Sequence, residues 1–124
     1  MIDHVSLPVR DLASAARFYE VVLAPLGYVQ LLERPLTVGF GKKYPELWLN
    51  HRPALAPDPD TGVHVALRAS SEEAVRAFHA AALELGAASD GAPGLRAAAQ
   101  TTYFGAFIRD PDGNRVEAVS FPRG

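Results

Sequence analysis

The sequence predicts an α+β fold. Two tandem βαβββ modules would form a curved, partly closed mixed β-barrel or cleft, with the helices outside. Three observations carry this expectation. Asp3-His4-Val5-Ser6-Leu7 returns as Val63-His64-Val65-Ala66-Leu67, with the two histidines 60 residues apart. A stretch of helical periodicity follows each copy, and Phe18 and Phe78 keep the same 60-residue spacing. Turn signals then divide the rest of each half into three short strands.

In the first copy, alternation puts Val5 and Leu7 on one face of a strand and His4 and Ser6 on the other. Asp11 is the natural N-cap of the next element, because its carboxylate accepts free N–H groups of the first helical turn. Leu12, Ala15, Ala16, Tyr19, Val22 and Leu23 form the apolar stripe of that helix, and Pro25 and Gly27 end it. Strands are expected near 28–32, 37–40 and 47–50, with Lys42-Lys43-Tyr44-Pro45 as a turn. The proline-rich stretch 52–61 reads as a linker. In the second copy Ser70 and Glu73 make a capping-box pattern. Val75, Phe78, Ala82 and Leu85 supply the stripe, Gly86 ends the helix, and His79 falls on its solvated side. Strands are expected near 87–89, 103–108 and 115–121, with Asp110-Pro111-Asp112-Gly113-Asn114 as a hairpin turn. The Gly- and Ala-rich run 90–100 reads as a long loop, and a loop of that length suits a lid over 91–99. The whole chain 1–124 is then one domain: module one 1–51, linker 52–61 and module two 62–124.

Composition bounds the function. Hydrophobic residues make up 48% of the 124 positions and charged residues 21%, enough for a packed core. The net charge is −2, and the longest basic run is Lys42-Lys43, which excludes the electrostatic footprint of a nucleic-acid binder. No apolar run approaches the length of a membrane span. The first residues lack the pattern of an export signal, so the cytoplasm is the expected compartment. Cysteine is absent, which excludes disulfides, thiolate nucleophiles and Cys-type metal sites.

The repeat makes a prediction about polar residues. Aligning the hairpin ends sets Leu47 against Val116 and Trp48 against Glu117, the first pair facing the helices and the second the cleft. Four equivalent inward positions follow: His4, Trp48, His64 and Glu117. Two imidazoles and a carboxylate suit one divalent Fe, Mn, Zn, Ni or Co ion with positions left open for substrate. An ionised Glu117 among Val116, Ala118 and Val119 would be costly to bury without such a partner. Around that centre, Trp48 offers a flat face for a substrate ring, and Asn50 a hydrogen-bonding amide. Tyr103 and Phe107 would bracket the cavity. Arg96 is the residue best suited to grip an anionic group. The general base is not identified, with a metal-bound hydroxide or Glu46 as the candidates, and Ser6 is a further catalytic candidate.

These pieces resemble the vicinal oxygen chelate superfamily, the glyoxalase, bleomycin-resistance and extradiol-dioxygenase group. The resemblance runs from Ile2 to about Phe121. It rests on His4-Val5-Ser6-Leu7-Pro8-Val9-Arg10-Asp11-Leu12, Arg17-Phe18-Tyr19, Leu26-Gly27-Tyr28, Gly62-Val63-His64-Val65-Ala66 and Asp110 to Glu117. It implies a paired βαβββ fold, a homodimer, and a metal that chelates vicinal oxygens of a small-molecule substrate. His4, His64 and Glu117 stand where the ligands of the group stand. Trp48 departs from the pattern where glyoxalase I carries a further side chain for metal and proton transfer. Phe107 departs where extradiol dioxygenases carry tyrosine. Ser6 matches a hydroxyl position of fosfomycin-resistance proteins. The resemblance therefore implies a metal-dependent lyase or isomerase, a dioxygenase or an epoxide-opening transferase rather than a typical glyoxalase I. The alternative is an antibiotic-like small-molecule binding or resistance protein without turnover.

Overall fold

In chain order the elements are β1 (Val5–Val9), α1 (Leu12–Leu23), a 3₁₀ turn (Ala24–Leu26), β2 (Val29–Arg34), β3 (Thr37–Gly41) and β4 (Pro45–His51), followed by β5 (Val65–Arg68), α2 (Glu72–Glu84), β6 (Ala88–Ala97), β7 (Thr102–Arg109) and β8 (Arg115–Ser120). The computed structural model describes residues 1–56, 60–97 and 101–122. Each half is a βαβββ unit. Each unit builds one open four-stranded mixed sheet, β1-β4-β3-β2 and β5-β8-β7-β6, and neither closes into a barrel.

The first strand of each unit pairs in parallel with the last. Ser6 lies opposite Trp48, and Ala66 opposite Glu117. The odd positions of β1 and β4 (Leu7, Val9, Leu47, Leu49) turn into the core, so the even ones (Ser6, Trp48) turn away from it. In β8 both Val116 and Glu117 are buried.

α1 begins where Asp11 accepts the amide of Ser14 at 3.0 Å. α2 is capped by Ser71, not Ser70: the Ser71 hydroxyl accepts from the Ala74 amide, and Glu72 and Glu73 complement the helix dipole in the first turn. With two adjacent serines available, the one with extended backbone directly before the helix takes the cap. The buried stripes of the two helices include Tyr19, Val22 and Leu23 on one side and Val75, Phe78 and Ala82 on the other. α1 packs against α2, so one continuous core runs beneath both sheets.

The run expected to be a loop and lid is mostly strand. β6 extends over ten residues, from Ala88 to Ala97, and pairs antiparallel with β7. Its register slips between Ser89 and Gly91 and again between Gly91 and Gly94. These bulges absorb the residues that read as loop formers, and Pro93 sits in the second one, where no ladder N–H is required of it. The rest of the expected lid, Ala98 and Ala99, lies with Gln100 outside the described residues. In the linker, the Arg52 amide still donates to Val9 at 2.7 Å, and Pro57, Asp58 and Pro59 lie outside the described residues.

The Asp110–Asn114 turn does more than reverse the chain. Gly113 takes the left-handed conformation (φ +91°) that closes it. The turn then grips module one. Tyr19 donates its hydroxyl to Asp110 at 2.5 Å, and Arg10 donates its backbone amide and Nε to Asp112 at 3.0 and 2.9 Å. Arg10 also reaches the carbonyl of Pro111 at 2.8 Å, and the Asn114 amide reaches that of Pro8 at 2.9 Å. Burial raises the pKa of Tyr19 far above that of a free phenol, so the proton stays on Tyr19 and the hydroxyl donates. The two modules are thus joined by a polar clasp as well as by the core.

Candidate functional site

Glu117 is the centre of the site. Its side chain is 4% exposed, and its Oε1 stands 3.3 Å from Nε2 of His64. Its other oxygen, Oε2, is buried with no hydrogen-bond partner at ordinary donor–acceptor distance, and the Tyr103 phenol is close enough to help hold its charge. That oxygen sits in a recess made by Gly105: a Cβ there would lie 3.2 Å from Oε2 and 2.9 Å from Cε2 of Tyr103. Burial raises the pKa of Glu117, and Tyr103, His64 and Arg96 act in the opposite direction. Burial, and then the neighbouring Glu117, raises the pKa of Tyr103. A buried carboxylate with a free lone pair is an unfavourable arrangement unless a cation or donor meets it.

Nearby acids do not compete for that role. A hollow of about 270 Å³ opens beside His64, between Asp60, Asp90, Phe107 and Arg115. Arg115 pairs with both Asp60 (3.3 Å) and Asp90, and Arg109 adds a longer contact to Asp90 at 3.7 Å. Their charges are neutralised in place. Phe107 meets His64 edge-on, with ring centroids 6.2 Å apart, and limits how the imidazole turns.

His4 stands apart, just before β1 on the other sheet. Its Nδ1 lies 2.8 Å from the Asp3 carboxylate, and the side chain is 54% exposed. With Nδ1–H donated to Asp3, the lone pair falls on Nε2, the tautomer a metal ligand needs. Among the described residues, no cluster of three His, Cys, Asp or Glu side chains forms. One chain therefore brings His64 and Glu117 together and leaves His4 apart from them.

The other expected residues divide between the sheets. On the first, the indole of Trp48 packs against Gly39, where a Cβ would come within 2.9 Å of it. Ser6 is exposed opposite Trp48. Asn50 accepts from the Thr37 hydroxyl at 2.8 Å, which leaves its own N–H groups free to face a ligand. Glu46 accepts from the Tyr28 hydroxyl at 2.8 Å. On the second sheet, Arg96 pairs in register with Tyr103, and Gly91 with Phe107. His79 corrects an expectation. It is buried at 8% exposure rather than solvated, and its Nε2 meets the Ser89 hydroxyl at 2.8 Å. β6 and β7 pack over α2 and cover that side of the helix.

The glycines were not anticipated as part of the site. Gly39, Gly91, Gly94 and Gly105 each leave room for a cleft side chain. The available signal was their position inside strands, where glycine commonly marks a close approach.

A family model for the Glyoxalase/Bleomycin resistance protein/Dioxygenase superfamily matches residues 1–118. The chain belongs to that superfamily. Among solved structures, it is similar to a glyoxalase/bleomycin resistance protein from Albidiferax ferrireducens T118. That match has 28% identity and a TM-score of 0.84, covering 95% of this chain and 97% of the other. A glyoxalase/bleomycin resistance protein/dioxygenase family enzyme from Burkholderia phytofirmans PsJN is 18% identical with a TM-score of 0.75, covering 98% of each chain. The genomically encoded fosfomycin resistance protein of Listeria monocytogenes is 18% identical with a TM-score of 0.71, covering 98% of this chain and 93% of that one. These two share the fold at that level of identity. No curated protein matches the chain. Among the described residues, no helix is long and apolar enough to cross a membrane.

Proposed function

We propose that this chain is a divalent-metal-dependent enzyme acting on a small oxygenated metabolite or xenobiotic in the cytoplasm. His64 and Glu117 of one copy hold the ion together with His4 of a second copy. The orphaned, buried Oε2 of Glu117 beside His64 carries this reading. The residues fit such an ion: a carboxylate with an unused lone pair, an imidazole at 3.3 Å, and a second imidazole oriented by Asp3. Borderline N/O donors of this kind suit Fe, Mn, Zn, Ni or Co. Bound there, the ion supplies Lewis-acid polarisation of a substrate oxygen.

Two copies are needed because the ligands lie on separate sheets. β1 and β5 each stand at a sheet edge with unpaired backbone groups. A twofold axis that sets β1 of one copy beside β5 of the other covers both edges at once. It also delivers His4 to Glu117 twice per dimer. Trp48 and Asn50 then face the same cleft as Tyr103 and Phe107. Trp48 supplies a flat apolar wall, and Asn50 supplies N–H donors for a substrate oxygen. Glu46, oriented through one oxygen by Tyr28, keeps the other oxygen for a proton, and Ser6 is the second candidate for that task. The chemistry falls among lyase or isomerase, dioxygenase and epoxide-opening reactions. Trp48 in the position equivalent to Glu117 supports a second reading, a small-molecule binding protein without turnover.

Metal analysis of subunit mixtures tests the proposal. Wild type is expected to carry one divalent ion per chain, and His4→Ala and Glu117→Ala each to carry none. Refolding the two variants together should restore about a quarter of wild-type content, because half of the random dimers hold one intact site. No restoration, with each variant still folded, overturns the shared site. A wild type that takes up none of the five metals overturns the metal reading.

A further inference from the structure

Arg96 is a half-buried cation placed on the cleft side of the second sheet. Its guanidinium is built into position. Nη1 donates to the Leu95 carbonyl at 3.2 Å, and Nη2 to the Ala92 carbonyl. The group lies over the Phe107 ring, 5.6 Å from its centroid. It also fills space that two glycines vacate: a Cβ on Gly91 would come within 3.3 Å of Nη2, and one on Gly94 within 3.0 Å of Nη1. Arg10, Arg109 and Arg115 all meet aspartates, whereas Arg96 has no ion pair among the described residues. A guanidinium has five N–H groups, so three remain for a ligand.

The same Phe107 ring stands 6.2 Å from the His64 ring. Guanidinium and imidazole are therefore under about 12 Å apart, and one small molecule spans them. The charge of Arg96 favours the ionised forms of Tyr103, its cross-strand partner, and of Glu117, which stands beside His64 at the far end of that span.

We propose that Arg96 is a preorganised oxyanion receptor that sets the substrate class of the cleft: small organic acids, carboxylate or phosphonate. The acid group binds Arg96, and the other oxygens of the molecule extend toward His64 and Glu117. Backbone carbonyls hold the guanidinium without cancelling its charge, which a carboxylate partner would do. Arginine suits this role because its planar fork meets two oxygens of one acid group. The assignment rests on the cleft reading above, but its binding step uses only residues present in the metal-free chain.

Titration of the metal-free full-length protein, followed by NMR, tests it with three probes: glycolate, methylphosphonate and neutral ethylene glycol. Glycolate and methylphosphonate are expected to saturate a common set of resonances around Arg96, Tyr103 and Phe107. Their relative affinity assigns the carboxylate or the phosphonate class. Ethylene glycol should leave those resonances unmoved. Arg96→Gln should weaken the acids about tenfold or more, the loss of a charge-assisted hydrogen bond. Gly91→Ala keeps the charge but crowds the Phe107 ring (2.9 Å) and the guanidinium above it (3.3 Å), and it should weaken them as well. Ethylene glycol binding as tightly as glycolate, or acid affinity unchanged in folded Arg96→Gln, overturns the proposal. Metal uptake measured on the same samples keeps the two readings apart. Arg96-dependent acid binding by a protein that takes up no metal supports this receptor while the metal reading fails.

Discussion

Trp48 and Glu117 occupy the same place in the two halves of the molecule. Each lies on the last strand of its unit and is paired in parallel with the first, Trp48 opposite Ser6 and Glu117 opposite Ala66. One copy of the repeat thus carries a carboxylate with a free lone pair, and the other carries an indole pressed onto Gly39. Duplication supplied two equivalent positions, and divergence made one a candidate metal ligand and the other an apolar wall.

The recess at Gly105 should be essential to that carboxylate. Gly105→Ala places a methyl group 2.9 Å from the Tyr103 ring and 3.2 Å from Oε2 of Glu117, so both must move. Metal affinity is expected to fall about tenfold, with a stability cost of about 1–2 kcal/mol from overpacking. Equilibrium dialysis and urea unfolding measure the two effects. Affinity equal to wild type would mean that Oε2 takes no part in binding.

The clasp should show as coupling between modules. Tyr19→Phe removes the hydroxyl that Asp110 accepts at 2.5 Å, in a buried setting. A cost of about 1.5–3 kcal/mol is expected, as for a hydrogen bond to a charged group. A double-mutant cycle with Asp110→Asn should return much of that as interaction energy. Additive single effects would show that the two side chains do not cooperate.

Acid should weaken the fold through His79. Burial lowers its pKa from the ordinary 6.5. The unfolded chain therefore takes up a proton at higher pH than the folded one. The stabilising contribution is complete above about pH 6.5 and is lost as pH falls through the lower, folded value. Thermal melts of His79→Gln between pH 7.5 and 5 should have a shallower pH slope than wild type. Parallel slopes would assign the pH dependence to other groups.

Much of this was legible in the sequence. The 60-residue repeat, the alternation around His4 and His64 and the Asp11 cap carried the element order and the equivalence of Trp48 with Glu117. What was not legible depends on contacts distant in sequence. The bulges of β6 arise from pairing with β7, so its Gly and Pro residues resemble a loop until that partner is known. Ser71 displaced Ser70 as the cap because adjacent serines are chemically alike, and the helix starts at Glu72. The approach of His64 to Glu117 followed from the repeat. The separation of His4 did not, because a repeat specifies two units and not how they face each other.

The Trp48 wall offers a direct substitution. Trp48→Glu introduces a carboxylate at the position equivalent to Glu117 and removes the indole from Gly39. Metal affinity is expected to rise about tenfold, while the midpoint of thermal unfolding falls because a large apolar contact is lost. Calorimetry with zinc reads both. Unchanged affinity would place residue 48 outside the coordination sphere.

The clasp also affects how the chain can be made. β1 to β4 are complete by His51, but Tyr19 and Arg10 find their partners 91 and 102 residues further along. A ribosome must deliver the chain through Asp112 before those groups are satisfied. Until then the first module emerges with a phenol and a guanidinium unmatched. Its final locking therefore waits for the Asp110–Asn114 turn, and long-range closure of this kind slows folding.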